Sequence, residues 1–403
     1  MTAVGVTALT TRSSDGRVRV GVIGAGSIAQ MIHLPYLRDL ADMFEITALC
    51  DIAQDTLDAV GALYGVSPEE RYVDYRDLCA SEQVDAVLIC PNGSHVPQAI
   101  AALEHDKHVL VEKPLCYQQA DADAFVRAAQ AARKRSGAVT LMAYMKRFDP
   151  GYQYGQRLVR PLADAGRMRF VDARHIHSQN ELYMAHLPVF RGTAIAPGVI
   201  DRLNREHEAD IDGALGADAS PALRRVFRGM MGSSVHDIYS LNGLLGRPEE
   251  IVASETWDNG RCWSAIFRYP HGVRVNYAWI DIRAVRAFHE EFACYADDGR
   301  VTITFEQPFL VSGATRVKVQ GMEPSPSPLA PHGRAAGDLG WDDPGPPHAD
   351  RLVTPSYANQ YKREWLHFHA CITQGVEPLV GPEEARDDAA FIVEWARATR
   401  ALA

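Results

Sequence analysis

The sequence predicts an α/β protein in two parts. A doubly wound parallel sheet comes first, and a second α/β domain with a large open, predominantly antiparallel or mixed sheet follows. Three observations predict this. Over residues 18–113, short apolar runs of strand length alternate with helical stretches, which implies parallel strands joined by helical crossovers. The first run breaks into Gly24-Ala25-Gly26-Ser27-Ile28-Ala29, a G-x-G-x-x-A turn that opens a helix. Beyond residue 165, strand-like runs follow one another across short turns with few helices between them.

In chain order, Val18–Ile23, Glu45–Cys50, Ala86–Cys90 and His108–Val111 read as strands. The crossovers are Ser27–Met43, Ala53–Leu63 with a shorter turn near Tyr75–Cys79, and Val96–His105. A helix at Ala120–Arg135 and a strand at Val139–Met142 complete a first domain over 18–147, with a flexible tail expected at 1–17. In the second domain, 148–382, strands are expected at Arg167–His177, Glu250–Trp257, Cys262–Tyr269, Val273–Ile280, Glu290–Ala296 and Val301–Phe305. A helical insertion lies at about 187–231. There Val199, Ile200, Leu203, His207, Ile211 and Leu215 fit one helix, and Ser220-Pro221 starts another with Leu223, Val226, Phe227 and Met230 inward. The Pro- and Gly-rich segment at about 322–350 reads as a surface loop, and 383–403 as a terminal helix.

Composition narrows the function classes. Hydrophobic residues are 47% and charged residues 23% of 403, a globular balance. Lys plus Arg number 41 against 51 Asp plus Glu, a formal charge of −10. Such a surface repels phosphodiester backbones, and no basic stripe offsets it, so nucleic acid is not an expected partner. No run approaches the ~18 apolar residues of a membrane span. The seven cysteines are odd in number and never spaced C-x-x-C, against a disulfide framework or structural zinc and for a cytoplasmic location. No metal-ligand set is expected.

The glycine turn carries a specific physical requirement. Gly24 permits a tight turn, Gly26 lets the backbone approach a pyrophosphate, and Ala29 keeps the helix against the sheet. The free N–H groups at Ser27 and Ile28 and the positive helix end then face the anion. Asp51, ending the second strand, is placed to accept from a ribose 2′-hydroxyl and to repel a 2′-phosphate. No Arg or Lys follows in Ile52-Ala53-Gln54, so NAD is expected rather than NADP. The alternative for Asp51 is a cap on the next turn.

Cys90-Pro91-Asn92-Gly93-Ser94-His95, then Val109-Leu110-Val111-Glu112-Lys113-Pro114-Leu115, then Tyr144-Met145-Lys146-Arg147-Phe148-Asp149-Pro150 complete a recognisable series. With the glycine turn, it resembles the glucose–fructose oxidoreductase/inositol dehydrogenase (Gfo/Idh/MocA) family. The likeness is dense from residue 18 to about 150 and thin beyond. It implies an N-terminal Rossmann domain, a C-terminal open α/β sheet, an active site between them, a nicotinamide cofactor, and sugar or cyclitol substrates. Pairing of the large sheets into a homodimer or homotetramer is a further implication.

On this reading Lys113, at the C-terminal end of a parallel strand, exchanges a proton with the substrate hydroxyl as hydride moves. Glu112 orients its loop, and the resemblance implies a cis Lys–Pro bond. Pro91 and Asn92 sit beside the expected nicotinamide position; Ser94 is expected to cap the next helix, and His95 is either structural or a cofactor contact. Val235, Ile238, Leu241 and Leu245 make an apolar helical stripe, which sets His236, Tyr239 and Gly243 on another face. Aligned backward from Gly246, His236 falls on the family histidine that acts as acid/base or donor. The usual aspartate four residues earlier is replaced by Gly232. Either Lys113 carries most of the proton work, or Tyr239 or a residue of the insertion orients His236. Tyr144, Arg147 and His177 are candidate substrate contacts, with a brace between domains as the alternative for Arg147. Glu206, Glu208, Asp210 and Asp212 suit either a cationic substrate or a solvated helix face.

The expected function is an NAD-dependent oxidoreductase. Its substrate class is a secondary hydroxyl or ketone of a sugar, glycoside, aminosugar or cyclitol, with pyranose C3 as one position. The alternatives are an NAD-retaining glycosidase working by transient oxidation and elimination, and a non-catalytic NAD-binding sensor.

Overall fold

In a computed structural model, residues 16–177, 180–282, 287–322 and 348–401 are described. The tail at 1–15 and most of the predicted surface loop, 323–347, lie outside the described residues.

Six strands build the first sheet: β1 (Val18–Ile23), β2 (Phe44–Cys50), β3 (Arg71–Tyr72), β4 (Ala86–Ile89), β5 (His108–Val111) and β6 (Thr140–Met142). Their order is β3-β2-β1-β4-β5-β6, and every pairing is parallel. This is the doubly wound dinucleotide-binding order, whose switch point lies between β1 and β4, where ligands bind outside the carboxyl ends of the strands. The strands are almost wholly apolar because helices cover both faces.

One cover was not legible in the sequence order. Helix Gln360–Gln374, unassigned above, returns from the far end of the chain to this domain. Its Tyr361, Trp365, Phe368 and Ile372 join one core with Val20, Phe44, Leu88 and Leu141 of the parallel sheet. Trp365 meets Phe44 edge-on at 5.2 Å and donates its indole N–H to His33 Nδ1 at 3.2 Å.

The second sheet has nine strands: β7 (Met168–His177), β8 (Glu250–Trp257), β9 (Cys262–Arg268), β10 (Arg274–Asp281), β11 (His289–Ala296), β12 (Gly299–Phe305), β13 (Arg316–Met322), β14 (His348–Val353) and β15 (Arg400–Ala401). The order is β14-β13-β12-β11-β7-β10-β9-β8-β15, with β7–β10 and β8–β15 parallel and the rest antiparallel. Three strands depart from the sequence reading. β13 was not assigned, β14 takes residues 348–350 out of the predicted loop, and β15 follows a terminal helix that ends at Ala398. The insertion forms helices Val199–Leu215 and Pro221–Gly229, the second capped by Ser220 Oγ on the Leu223 N–H. Ile211, Val226, Phe227 and Met230 are buried, whereas Ile200 and Leu203 stay exposed.

Candidate active site

The strands end where the chemistry is expected. After β1, Gly24 adopts φ +91° and presses against the loop after β4: a Cβ would lie 2.6 Å from Pro91 N. Only glycine fits there without moving the backbone. Gly26 is exposed, with nothing within 4 Å of its Cβ position, which leaves an open cradle before the helix that begins at Ser27. Ser27 and Ile28 are half-buried in that first turn. The Asp51 carboxylate accepts from Ala25 N and Ala53 N, each at 3.0 Å. It therefore fixes the glycine loop and caps the turn after β2 at once. Burial raises its pKa from the ordinary value, against those backbone bonds. An open cradle, a helix start and a carboxylate at the sheet edge fit a dinucleotide.

The loop after β4 is held from beneath. His95 bonds the Glu112 carbonyl through Nδ1 at 2.6 Å and the Pro91 carbonyl through Nε2 at 2.8 Å, and is 2% exposed, so it ties the two loops together. Asn92 is exposed above it. Ser94 does not cap the following helix. His95 occupies the N-cap position, and Ser94 Oγ is buried without a partner among the described residues. Glu112 receives His33 Nε2 at 3.0 Å and the Lys113 N–H at 3.0 Å. Burial works to raise the Glu112 carboxyl, but the His33 bond and neighbouring cations outweigh it and leave it below its usual value. His33 accepts from Trp365, so Nε2 carries its proton and donates to Glu112.

Lys113 follows β5 through a cis Lys113–Pro114 bond. Its ammonium crosses 119 positions of sequence to donate to the Gly232 carbonyl at 2.9 Å. Burial lowers its pKa from the free-lysine value, against the pull of Glu112. Gly232 lies in a π-helical turn, Met230–Ser234, that leads into helix Val235–Leu245. It is exposed, and a Cβ there meets nothing within 4 Å, so the missing aspartate is not excluded by space.

That helix carries His236, half-buried, with Nδ1 2.8 Å from Tyr239 Oη. The phenol also accepts from the Lys146 N–H at 3.3 Å and stacks on Tyr144 at 4.0 Å. Burial pushes the Tyr239 hydroxyl well above its ordinary pKa, so it keeps its proton and donates it to His236 Nδ1. The His236 proton then sits on Nε2. Burial, reinforced by the charges of Lys113 and Lys146, lowers the imidazole well below its ordinary pKa, so it is neutral near pH ~7.

Asp237 points elsewhere, as neighbouring helix positions must. It forms the centre of a buried network with Lys146 Nζ at 3.0 Å, His175 Nδ1 at 3.2 Å and Tyr277 Oη at 2.6 Å. Lys146 also pairs with Glu290. Burial opposes its charge, yet Lys146 and His175 hold the Asp237 carboxyl well below its usual range. His175, Asp237 and Glu290 bring ligand atoms within 4.8 Å of one another, but the Lys146 ammonium already bonds both carboxylates there. Sequence reasoning passed over Lys146, His175 and Glu290. The signal was period-two alternation: His175 shares the inward face of β7 with Ala173 and Val171.

The remaining candidates divide. His177, at the end of β7, stacks on Trp279 at 5.1 Å, and burial followed by the charge of His175 lowers its pKa. Trp279 stacks in turn on Trp263 at 4.0 Å and donates to Ser233 Oγ at 2.9 Å, next to Gly232. Tyr144 is 2% exposed, packed between Tyr239 and the side of Asp388. The Arg147 guanidinium pairs with Glu384 Oε1 at 2.5 Å and reaches the Tyr239 carbonyl at 3.4 Å. That is the bracing arrangement between the Tyr239 helix and the terminal helix Pro382–Ala398. In the insertion, Glu208 and Asp212 pair with Arg224 and Arg228, Glu206 lies by Arg202, and Asp210 accepts from Gln118. These acids are matched on a helix surface.

Comparison with known proteins follows the same division. A family profile described as "Oxidoreductase family, NAD-binding Rossmann fold" (GFO_IDH_MocA) matches residues 18–140. Over those residues the chain is similar to the Gfo/Idh/MocA family. Inositol 2-dehydrogenase of Salmonella paratyphi B is 30% identical over 162 residues, 40% of this chain and 46% of that protein. Inositol 2-dehydrogenase/D-chiro-inositol 3-dehydrogenase of Shouchella clausii is 37% identical over 136 residues, 34% of this chain and 38% of that one. The matched stretch thus spans less than half the length of these curated relatives.

Solved structures extend the likeness of fold across both domains. Aldose-aldose oxidoreductase from Caulobacter crescentus, complexed with glycerol, superposes with a TM-score of 0.65 at 20% identity, over 94% of this chain and 98% of that one. A 3-ketoreductase from Actinomadura kijaniata, in complex with NADP and TDP-benzene, gives 0.63 at 19% identity, over 96% and 99%. Among the described residues no helix is long and apolar enough to cross a membrane.

Proposed function

We propose that this protein is a nicotinamide-dependent oxidoreductase acting on a secondary hydroxyl, or its ketone, in a sugar or cyclitol. The observation that carries the reading is the convergence of Lys113 and the His236–Tyr239 pair beside the open glycine cradle. The bound nicotinamide supplies the hydride acceptor or donor. The chain supplies the proton chemistry. A Lys113 amine made less basic by burial takes the hydroxyl proton in oxidation and returns it in reduction. A neutral His236 offers its Nε2–H to the same substrate oxygen, steadying the negative charge that develops there. The half-buried His177, held by its stack on the buried Trp279, is a candidate contact for a sugar or cyclitol ring. Gly232 in place of the family aspartate is offset by Tyr239, which orients the imidazole from one helical turn away.

Asp51 favours NAD, although the Actinomadura neighbour was solved with NADP. Pyranose C3 is one candidate position. Dehydrogenases and a ketoreductase among the relatives favour this reading over an NAD-retaining glycosidase or a sensor. The wide sheet carries exposed Val252 and Ile266 on the neighbouring strands β8 and β9, which supports pairing between copies as a homodimer or homotetramer. A cytoplasmic site of action accords with seven free cysteines, six of them buried. The test is a panel of sugars, aminosugars, cyclitols and glycosides with NAD and NADP, followed through reduced-cofactor absorbance. Turnover of a polyol supports the reading. Aglycone release without oxidised product, or no turnover across the panel, overturns it.

A further inference from the structure

The insertion does more than flank the site. Before its first long helix, residues 190–195 fasten to the segments that follow two neighbouring strands of the nucleotide-binding sheet, β1 and β2. After β1, Gln30 Nε2 donates to the Phe190 carbonyl and Gln30 Oε1 accepts the Phe190 N–H, both at 2.8 Å. The same Gln30 Nε2 donates to Ala25 O at 2.7 Å, inside the glycine turn. After β2, just past Asp51, the Gly192 N–H donates to Thr56 Oγ1 at 3.1 Å. Asp55 accepts the N–H groups of Thr193 at 2.8 Å and Ala194 at 3.1 Å. The Gln54 N–H donates to the Ala194 carbonyl at 3.0 Å, and Ile195 forms an antiparallel bridge with Ala53. A Cβ on Gly192 would collide with Asp55 Oδ1 and Thr56 Oγ1, so the seating requires glycine there.

Between the two fastenings stands Arg191, exposed, with no ion pair among the described residues. Its place falls between the glycine turn that would hold a pyrophosphate and the edge where Asp51 would meet the adenosine ribose. An exposed guanidinium at that place in the chain is suited by its chemistry to a bidentate phosphate contact.

We propose that residues 190–195 form a strap over the phosphate–adenosine half of the bound dinucleotide, with Arg191 contacting a phosphate group of that ligand. The inference rests on the dinucleotide reading above and adds to it a binding residue supplied by the second domain. The strap lies in the segment between residues 187 and 231, outside the 18–140 family match.

The test titrates the full chain with NAD and with NADP by calorimetry and measures release rates by rapid dilution. Arg191→Ala is expected to weaken binding about tenfold to a hundredfold, the range for one charge-assisted hydrogen bond. Equal losses for both cofactors assign the contact to the pyrophosphate, and a loss confined to NADP assigns it to the 2′-phosphate. Gly192→Val, which unseats the strap, is expected to speed release. Arg127→Ala, exposed on a distant helix, keeps wild-type affinity. Unchanged affinity for both cofactors in Arg191→Ala overturns the proposal while the functional reading stands. Wild-type chain that binds neither cofactor overturns both.

Discussion

Tyr239→Phe isolates the hydroxyl that bonds His236 and is proposed to replace the missing carboxylate. The substitution removes one oxygen and keeps the ring, so the stack on Tyr144 at 4.0 Å survives. Two bonds go with that oxygen: the proton given to His236 Nδ1 at 2.8 Å and the acceptor for Lys146 N at 3.3 Å. The second is long and weak. The first leaves a half-buried imidazole nitrogen unpaired, at a cost of about 1–3 kcal/mol in stability. The same bond sets the tautomer, and losing about 1 kcal/mol of preference moves that ratio roughly fivefold. With ring orientation also released, kcat/KM is expected to fall about tenfold to a hundredfold, with little change in cofactor affinity. Steady-state kinetics, urea unfolding and the ¹⁵N shifts of His236 read the three effects. A proton found on Nδ1 in the wild type, or a variant with unaltered kcat/KM, refutes the reasoning.

Other expectations follow from the same geometry. Because burial lowers the Lys113 pKa, log kcat/KM for alcohol oxidation should rise with pH and level off below the free-lysine value of ~10.4. His236 is held neutral, so a limb near pH ~6.5 that disappears in His236→Gln contradicts this assignment. Gly24→Ala forces a Cβ into φ +91° and to within 2.6 Å of Pro91 N. It should lower the urea midpoint and abolish dinucleotide binding by calorimetry, and wild-type binding would contradict that.

Burial raises Asp388 to about 6, above the unfolded value of ~3.9. Its contribution is therefore full below pH ~3.9 and is lost as pH rises through about 6. The fall in urea stability between pH ~3.9 and about 6 should shrink in Asp388→Asn, since asparagine can still accept from Asn242 and Arg247. An undiminished fall contradicts it.

What the sequence disclosed follows the range of the interactions. The parallel sheet was legible because each βα step writes its own pattern, from Val18–Ile23 into the glycine turn to Asp51. Val199–Leu215 was legible for the same local reason, and its boundaries match the structure. Helix Gln360–Gln374 has a stripe at Tyr361, Trp365, Phe368 and Ile372, but its destination on the first domain depends on contacts with residues such as Phe44, far away in sequence. β13 alternates Val317 and Val319 with Lys318 and Gln320, yet it stands beside a Pro- and Gly-rich stretch that masks the pattern.

At the site, local motifs pointed to Lys113, His236 and Tyr239, and the fold brings Lys113 to the carbonyl of Gly232. Motifs do not reveal where a side chain turns. Arg147 and Tyr144 face Glu384 and Asp388 of the terminal helix, while Lys146 between them enters the Asp237–Glu290 network. The strap carries no periodic signal, because its bonds are mainly backbone groups meeting Gln30 and Asp55 from another domain.

Lys113 is the proposed carrier of the substrate proton. Lys113→Ala, loaded with NAD and mixed with the substrate found in the panel, tests it through single-turnover formation of reduced cofactor. NAD binding is expected to be retained with the rate down by at least about a hundredfold, within the usual contribution of a general base. Reduced cofactor formed at the wild-type rate contradicts it.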